Sequence, residues 1–239
     1  MSSRYHPAKL ANRGIGLEIV TQLVASPNNL VIAACRTPEK ATALNDLKRS
    51  ARGMIHIIKI DVSDFDSIRA STKALQALCG ETGLDYLINN AGIIADDTAS
   101  TLDPERLLEL FKTNAAGPAL VSQVCLPFMK KGSTRKILHV SSTAGSIGSL
   151  SALESPRGLF TSYAMSKAAL NMLAYKQKLE NPDFTVITLC PGWVKTDMGG
   201  KAGLLEPHDS VTGILKVITS ATVAESGKYL RYNGEEIPW

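Results

Sequence analysis

Ala11-Asn12-Arg13-Gly14-Ile15-Gly16 runs straight into Leu17-Glu18-Ile19-Val20-Thr21-Gln22-Leu23-Val24, and the reading of this stretch decides the fold. Ile15, Ile19, Val20, Leu23 and Val24 recur at the spacing of one helical face, so a helix opens on the glycines. Glycines there let the backbone approach an anion at the positive end of the helix, the arrangement that holds a pyrophosphate in dinucleotide folds. Leu30 to Cys35 follows as an uninterrupted apolar strand.

The same alternation continues outward. Pro38 to about Arg49 reads as a helix with proline in its first turn, Met54 to Ile60 as a strand, and Asp64 to Cys79 as a helix. Tyr86-Leu87-Ile88 is a strand ending in Asn89-Asn90-Ala91-Gly92, and a helix runs from Pro104 through Asn114 towards Phe128. Lys136 to Val140 is a strand that runs into Ser141-Ser142-Thr143-Ala144-Gly145. A helix carrying Tyr163, a strand at Thr185 to Cys190 closed by Pro191-Gly192, a helix near Asp209 to Ser220 and a strand at Lys228 to Tyr232 complete the pattern. Near-continuous apolar strands joined by helices imply a parallel sheet covered on both faces. The expectation is an α/β fold: a single doubly wound parallel sheet of Rossmann type with helices on both faces. At 239 residues, 44% hydrophobic and 20% charged, the chain can bury one good-sized core, so one domain over 1–239 is expected. Ser149 to Ser162, rich in Ser, Gly and Pro, reads as a loop over the site.

Composition narrows the function. The net charge of +4 comes without a block of Lys or Arg, which speaks against nucleic acid and leaves room for an anionic cofactor. Cys35, Cys79, Cys125 and Cys190 lie scattered in or beside apolar stretches, as reduced core thiols of a cytosolic protein do. His6, His56, His139 and His208 are equally dispersed, so no metal site is expected. The opening Met1-Ser2-Ser3-Arg4-Tyr5-His6-Pro7 has no apolar signal core, and no later run is long enough to span a bilayer. A cytoplasmic location without a membrane partner is expected.

Chemistry enters with Tyr163 and Lys167 in Ser162-Tyr163-Ala164-Met165-Ser166-Lys167. Positions four apart share a helix face, and a neighbouring cation is one of the few ways to bring a phenol of pKa near 10 into working range. Tyr5 and Lys9 share the interval, but Pro7 between them opposes a regular helix. The strand at Leu30 ends in Cys35-Arg36-Thr37, where a dinucleotide fold places the acid that binds the adenosine ribose. Arg36, with Arg13 in the glycine loop, instead suits a 2′-phosphate, so NADP(H) is expected over NAD(H).

From about Ala11 to Trp239 the chain resembles the short-chain dehydrogenase/reductase family. The matching pieces are Arg13-Gly14-Ile15-Gly16, Asp61-Val62, Asn89-Asn90-Ala91-Gly92, Asn114, Ser142, Tyr163 with Lys167, and Pro191-Gly192-Trp193-Val194-Lys195-Thr196. The long interval from Ser142 to Tyr163 and the ending Gly234-Glu235-Glu236-Ile237-Pro238-Trp239 are similar to sniffer and C-factor type carbonyl reductases and to fungal norsolorinic acid ketoreductases. The resemblance implies that Tyr163 protonates a carbonyl oxygen as hydride arrives, that Ser142 hydrogen-bonds that oxygen, and that Lys167 lowers the phenol pKa and holds the nicotinamide ribose. It implies that Asn114 fixes a relay water, that Asp61 and Val62 meet the adenine, and that Arg13, Gly14, Ile15 and Gly16 cradle the phosphates. Asn90 and Gly92 then line the cofactor cleft, while Val194 and Thr196 meet the carboxamide. It also implies self-association through the helices carrying Asn114 and Tyr163. Lys195 to Glu206 and the Ser149 to Ser162 loop would wall a pocket for a small-molecule carbonyl substrate, and their apolar residues with Trp193 suit a bulky aromatic ketone of polyketide type.

The chain departs from the family at residues 1–10. A central apolar strand ending in Thr-Gly is replaced by Ser3-Arg4-Tyr5-His6-Pro7-Ala8-Lys9-Leu10, in which Pro7 cannot join a central ladder and Leu10 stands where the first glycine belongs. Either a first strand is missing from the sequence, or cofactor binding is weakened. The second alternative would favour a non-catalytic binding or regulatory protein over an enzyme.

Overall fold

The computed structural model describes residues 11–150 and 158–239. Residues 1–10, including Pro7, the Tyr5 and Lys9 pair and Leu10, lie outside the described residues, as does the middle of the Ser149 to Ser162 segment. The described residues include six parallel strands: β1 (Leu30–Cys35), β2 (Met54–Lys59), β3 (Tyr86–Asn89), β4 (Lys136–Val140), β5 (Thr185–Cys190) and β6 (Tyr229–Arg231). Among the described residues they form two ladders, β1-β2 and β3-β4-β5-β6. The register is regular, with Leu30 opposite Met54 in the first ladder and Ile137 opposite Val186 in the second.

Side chains alternate across β4 and β5, and each set meets a different group of helices. Ile137 and Val186 point to the cluster that holds Phe128, Met129 and Ala174. Leu138, Ile187 and Leu189 point to the other, with Ile19, Val211 and Ile214. Every residue of β4 and β5 is buried, Lys136, His139, Thr185 and Thr188 included, as in a parallel sheet covered on both faces. Each buried Leu, Ile or Val contributes roughly 1.5–3 kcal/mol by leaving water.

α1 (Gly14–Leu23), α2 (Thr42–Ser50) and α8 (Pro207–Ser220) cover one side; α3 (Phe65–Ala70), α4 (Thr72–Cys79), α5 (Pro104–Phe111), α6 (Gly117–Lys131) and α7 (Thr161–Glu180) cover the other. The doubly wound arrangement expected from the sequence is therefore present. Its helices are more broken than their periodicity suggests. The segment from Pro38 splits at Ala41, where Asn45 Nδ2 donates to the carbonyls of Pro38 and Ala41. The segment after Asp64 splits at Ser71, whose hydroxyl donates to Ile68 O at 2.6 Å. α5 and α6 are joined by one π turn, Lys112–Ala116, closed by Gly117 N donating to Lys112 O. No described helix is long and apolar enough to cross a membrane.

Candidate active site

The strand ends set the site. β4 stops at Val140, and the chain leaves the sheet through Ser141-Ser142 into a tight turn at Thr143–Gly145, with Ser142 Oγ accepting from Ala144 N at 3.3 Å. α7 crosses above this turn. It approaches so closely that a Cβ on Gly145 would lie 2.8 Å from Lys167 Cβ. Glycine is required there by contact, not by backbone angle.

α7 starts without help from its own sequence. Phe160, at φ 64°, precedes it and has no polar atom with which to cap. The cap comes from the loop after β3: Asp97 Oδ1 accepts from Ser162 N at 3.0 Å, and Asp97 O accepts from Thr161 N at 3.2 Å. A carboxylate at this end also suits the helix dipole. Tyr163 follows immediately, in the first turn.

Tyr163 and Lys167 are both buried. Lys167 Nζ donates to Val140 O at 2.8 Å and lies 5.7 Å from the Tyr163 ring centre. Burial pushes the Tyr163 phenol above its ordinary value, against an opposing pull from the hydrogen bond with the Ser142 side chain. This corrects the direction expected from the Tyr-Lys spacing: loss of hydration outweighs any help from the cation. Burial also pulls the Lys167 ammonium down to about 8. Both groups are thus held towards their neutral forms, and a neutral phenol is a ready proton donor to a developing alkoxide, which is the stronger base.

Asn114 sits fully buried within the π turn. Its Nδ2 donates to Ile93 O and to Ser166 Oγ, both at 2.9 Å, and its Oδ1 accepts from Ile93 N at 2.9 Å. Both amide protons are used, leaving one acceptor position on Oδ1. That oxygen would be 3.4 Å from a Cβ on Gly92, and Lys167 Nζ 3.6 Å from the same point, so a side chain at Gly92 would fill the space between them.

The glycine loop closes the other end. Gly14 has φ +54°, and a Cβ there would lie 3.2 Å from Thr196 Cγ2. Arg13 Nη1 donates to Asp197 Oδ2 at 3.2 Å, joining the loop to the segment after β5. Between them runs a cleft whose wall includes Arg13, Gly14 and Ile15 from the loop, Asn90 and Gly92 after β3, Tyr163 and Lys167 from α7, and Thr196. Pro191 and Met198, the latter within the Lys195 to Glu206 segment, complete that wall with Val140 and Ser141.

The other expected residues stand around the cleft. Ser142 flanks Tyr163, and Gly16 is buried in the first turn of α1. Val194 is buried and bridges to Leu205. Arg36 lies half-buried on the bend after β1, and Ala11 N donates to Ala34 O at 3.1 Å, so the glycine loop departs from the same strand end. Asp61 lies beyond β2 and accepts from the Ser63 amide and hydroxyl at 2.9 and 2.7 Å; Val62 is buried with its carbonyl against Gly117. Gly145, Asp97, Asn171 and Tyr229 were not anticipated as supports of the site. Of these, Gly145 lay in the stretch after β4 and Tyr229 in the strand expected at Lys228 to Tyr232, neither with a role in the site.

The residues fit a dinucleotide. A helix start carrying a positive-φ glycine, a second glycine beside a buried ammonium and a cleft joining them provide a phosphate end and a reactive end.

Comparison with known proteins agrees. The family model described as short chain dehydrogenase matches residues 11–204. An uncharacterised oxidoreductase of Schizosaccharomyces pombe is 31% identical over 248 residues, spanning 95% of this chain and 95% of its own. Among solved structures, the NADPH-bound carbonyl reductase from chicken fatty liver superposes with a TM-score of 0.90 at 37% identity, covering 96% of each chain. The carbonyl reductase Sniffer of D. melanogaster gives a TM-score of 0.88 at 29% identity over 96% of each chain.

Proposed function

We propose that this chain, which belongs to the short-chain dehydrogenase family, is a single-domain NADPH-dependent reductase that converts a ketone or aldehyde to an alcohol. The observation that carries the reading is the meeting of Tyr163, Ser142 and Lys167 at one end of a cleft whose other end is the Arg13-Gly14-Ile15 loop. Bound NADPH supplies the hydride. Tyr163 gives its phenolic proton to the carbonyl oxygen, and Ser142 hydrogen-bonds the same oxygen and steadies the phenol. Lys167, anchored on Val140 O, directs its remaining N–H groups to the nicotinamide ribose. The open acceptor position of Asn114 Oδ1 holds a water that refills the proton.

At the adenosine end Arg36 binds the 2′-phosphate; Gly14, Ile15 and Gly16, with Arg13 in the same loop, present the helix start to the pyrophosphate. Asp61 and Val62 border the adenine, Asn90 and Gly92 the middle of the cleft, and Val194 and Thr196 the carboxamide. Exposed apolar side chains follow the two strand ends, Ile147 and Leu150 after Ser142 and Trp193 and Leu204 after β5, and they suit a bulky aromatic ketone such as a polyketide of secondary metabolism. Exposed Met165, Met172 and Leu179 on α7 suit coverage by a second copy of the chain.

Fluorescence titration of the protein with NADPH and NADH, repeated on Arg36→Ala, tests the cofactor end. NADPH is expected to bind at least tenfold more tightly, and the variant to lose most of that preference. A panel of aromatic and aliphatic carbonyls tests the other end, with kcat/KM expected to favour polycyclic aromatic ketones. Folded protein that binds NADPH and reduces no carbonyl would leave the non-catalytic reading in its place.

A further inference from the structure

Ser142 belongs to a turn that must be fixed against Tyr163 from outside its own sequence. Its carbonyl oxygen accepts two hydrogen bonds. One is local, from Gly145 N at 2.8 Å. The other comes from the phenol of Tyr229, 87 positions away on β6. Tyr229 is fully buried, and burial pushes its phenol above the ordinary range, so it stays a donor.

The surroundings of Tyr229 are built to hold that hydroxyl in place. Ser141 Oγ donates to Asn171 Oδ1 at 2.6 Å and Asn171 Nδ2 donates to Gly145 O at 3.0 Å, with both side chains at the Tyr229 hydroxyl. The Tyr229 ring lies against Trp239, centres 5.2 Å apart and planes 28° from parallel. Trp239 in turn meets Tyr175 of α7 edge-on at 6.1 Å. The segment before Trp239 grips the same loop, with Ser146 Oγ donating to Pro238 O and Gly148 N to Trp239 O. Ile237 N donates back to Tyr229 O at 2.7 Å.

We propose that Tyr229 is a positioning residue for the reaction: its phenol holds the Ser142 carbonyl, and through it the orientation of the Ser142 hydroxyl that meets Tyr163. Without this bond the Ser142 carbonyl keeps only the local bond from Gly145 N, and the Ser142 peptide can tilt while Asn171 still holds Gly145 O. The Ser142 hydroxyl then loses its fixed direction while the cofactor cleft, whose wall does not include Tyr229, is untouched.

The test is Tyr229→Phe, which keeps the ring and its stacking and removes the oxygen. The probes are reduction of 4-nitrobenzaldehyde with NADPH and oxidation of 4-nitrobenzyl alcohol with NADP+ across pH. The expected result is a kcat lower by roughly tenfold, with the NADPH Kd within twofold of wild type. In alcohol oxidation Tyr163 acts as base, and the Ser142 hydrogen bond is what draws its pKa down. The rising limb of the pH profile should therefore move to higher pH by about half a unit or more. A merely structural role would lower the melting temperature without moving that limb. An unchanged kcat or an unmoved limb overturns the proposal. If Tyr229→Phe fails to fold, Trp239→Ala, which leaves the hydroxyl but frees the ring, carries the test: the same alkaline shift with intact NADPH binding supports the proposal, and an unshifted limb overturns it.

The proposal rests on the assignment of Tyr163 as proton donor, and Tyr163→Phe separates the two. If Tyr163→Phe turns over like wild type, the assignment itself fails. If Tyr163→Phe is inactive and Tyr229→Phe is unaltered, only the role of Tyr229 fails.

Discussion

Lys167→Met is expected to leave the fold at least as stable at pH 7 while ending turnover. Burial has drawn the ammonium from 10.5 down to about 8. Below pH 8 both folded and unfolded chains carry the charge, and its burial costs the native state about 3 kcal/mol at roughly 1.4 kcal/mol per pH unit. Against this stands the bond to Val140 O at 2.8 Å. Losing it leaves a buried carbonyl short of a donor, a cost of about 1–3 kcal/mol. The methionine variant should therefore lie between equal to wild type and about 2 kcal/mol more stable at pH 7. The pH dependence fixes the cause. Between about 8 and 10.5 the unfolded chain holds a proton that the native chain has released, so wild-type stability rises with pH and the penalty has gone above 10.5. Urea melts at pH 7 and 9.5 should show wild type gaining about 2 kcal/mol on the variant. In the same preparations, NADPH-dependent reduction of 4-nitrobenzaldehyde should fall by at least about 100-fold. A variant destabilised by more than about 1 kcal/mol at pH 7, or a gap that does not change with pH, would refute the reasoning.

Gly145→Ala places a methyl 2.8 Å from the Lys167 side chain and backbone, so α7 or the Ser142 turn must move; a loss of about 1–3 kcal/mol in urea melts is expected, with a matching fall in kcat. Gly14→Ala forces a side chain onto φ +54° and within 3.2 Å of Thr196 Cγ2; titration should show NADPH binding weakened about tenfold, since left-handed backbone alone costs roughly 1–2 kcal/mol. Asp97→Ala removes the acceptor for Ser162 N at the start of α7 and should cost about 1 kcal/mol, most of which Asp97→Asn restores.

What the sequence disclosed and what it withheld differ by range. Strand limits such as Leu30–Cys35 and Thr185–Cys190 were legible because short runs rich in apolar and β-branched residues mark strands locally. Tyr163 and Lys167 were legible because four positions along a helix guarantee a shared face. The direction of the Tyr163 shift was not, because it depends on the whole surrounding core and not on the spacing. Asp97, Asn171 and Tyr229 stayed hidden for a related reason. Asp97 caps a helix 65 positions away, and Tyr229 reaches 87 positions to Ser142, with nothing local to mark either. His139 lies fully buried between Asn89 and Gln177, with burial pulling it down to about 4, an environment its sequence neighbours do not disclose. Breaks at Ala41 and Ser71 were invisible to periodicity, since the helical phase resumes within a residue or two.

The π turn at Lys112–Ala116 makes the chain sensitive to length in a way that composition does not disclose. A wider turn accommodates one residue more than an α-helix would over the same rise, and that surplus residue lets α5 and α6 each face its own neighbours. Deleting any one residue between 112 and 116 would allow a straight fusion of the two helices. It would also re-place the residues left in the turn, taking Asn114 away from Ile93 and Ser166. Single-residue deletions scanned through this segment should be far less tolerated than substitutions at its exposed positions, Lys112 and Ala116. The spacing between Asn114 and the α6 core behaves as a fixed count, and relatives that vary freely in sequence here would still be held to the same number of residues.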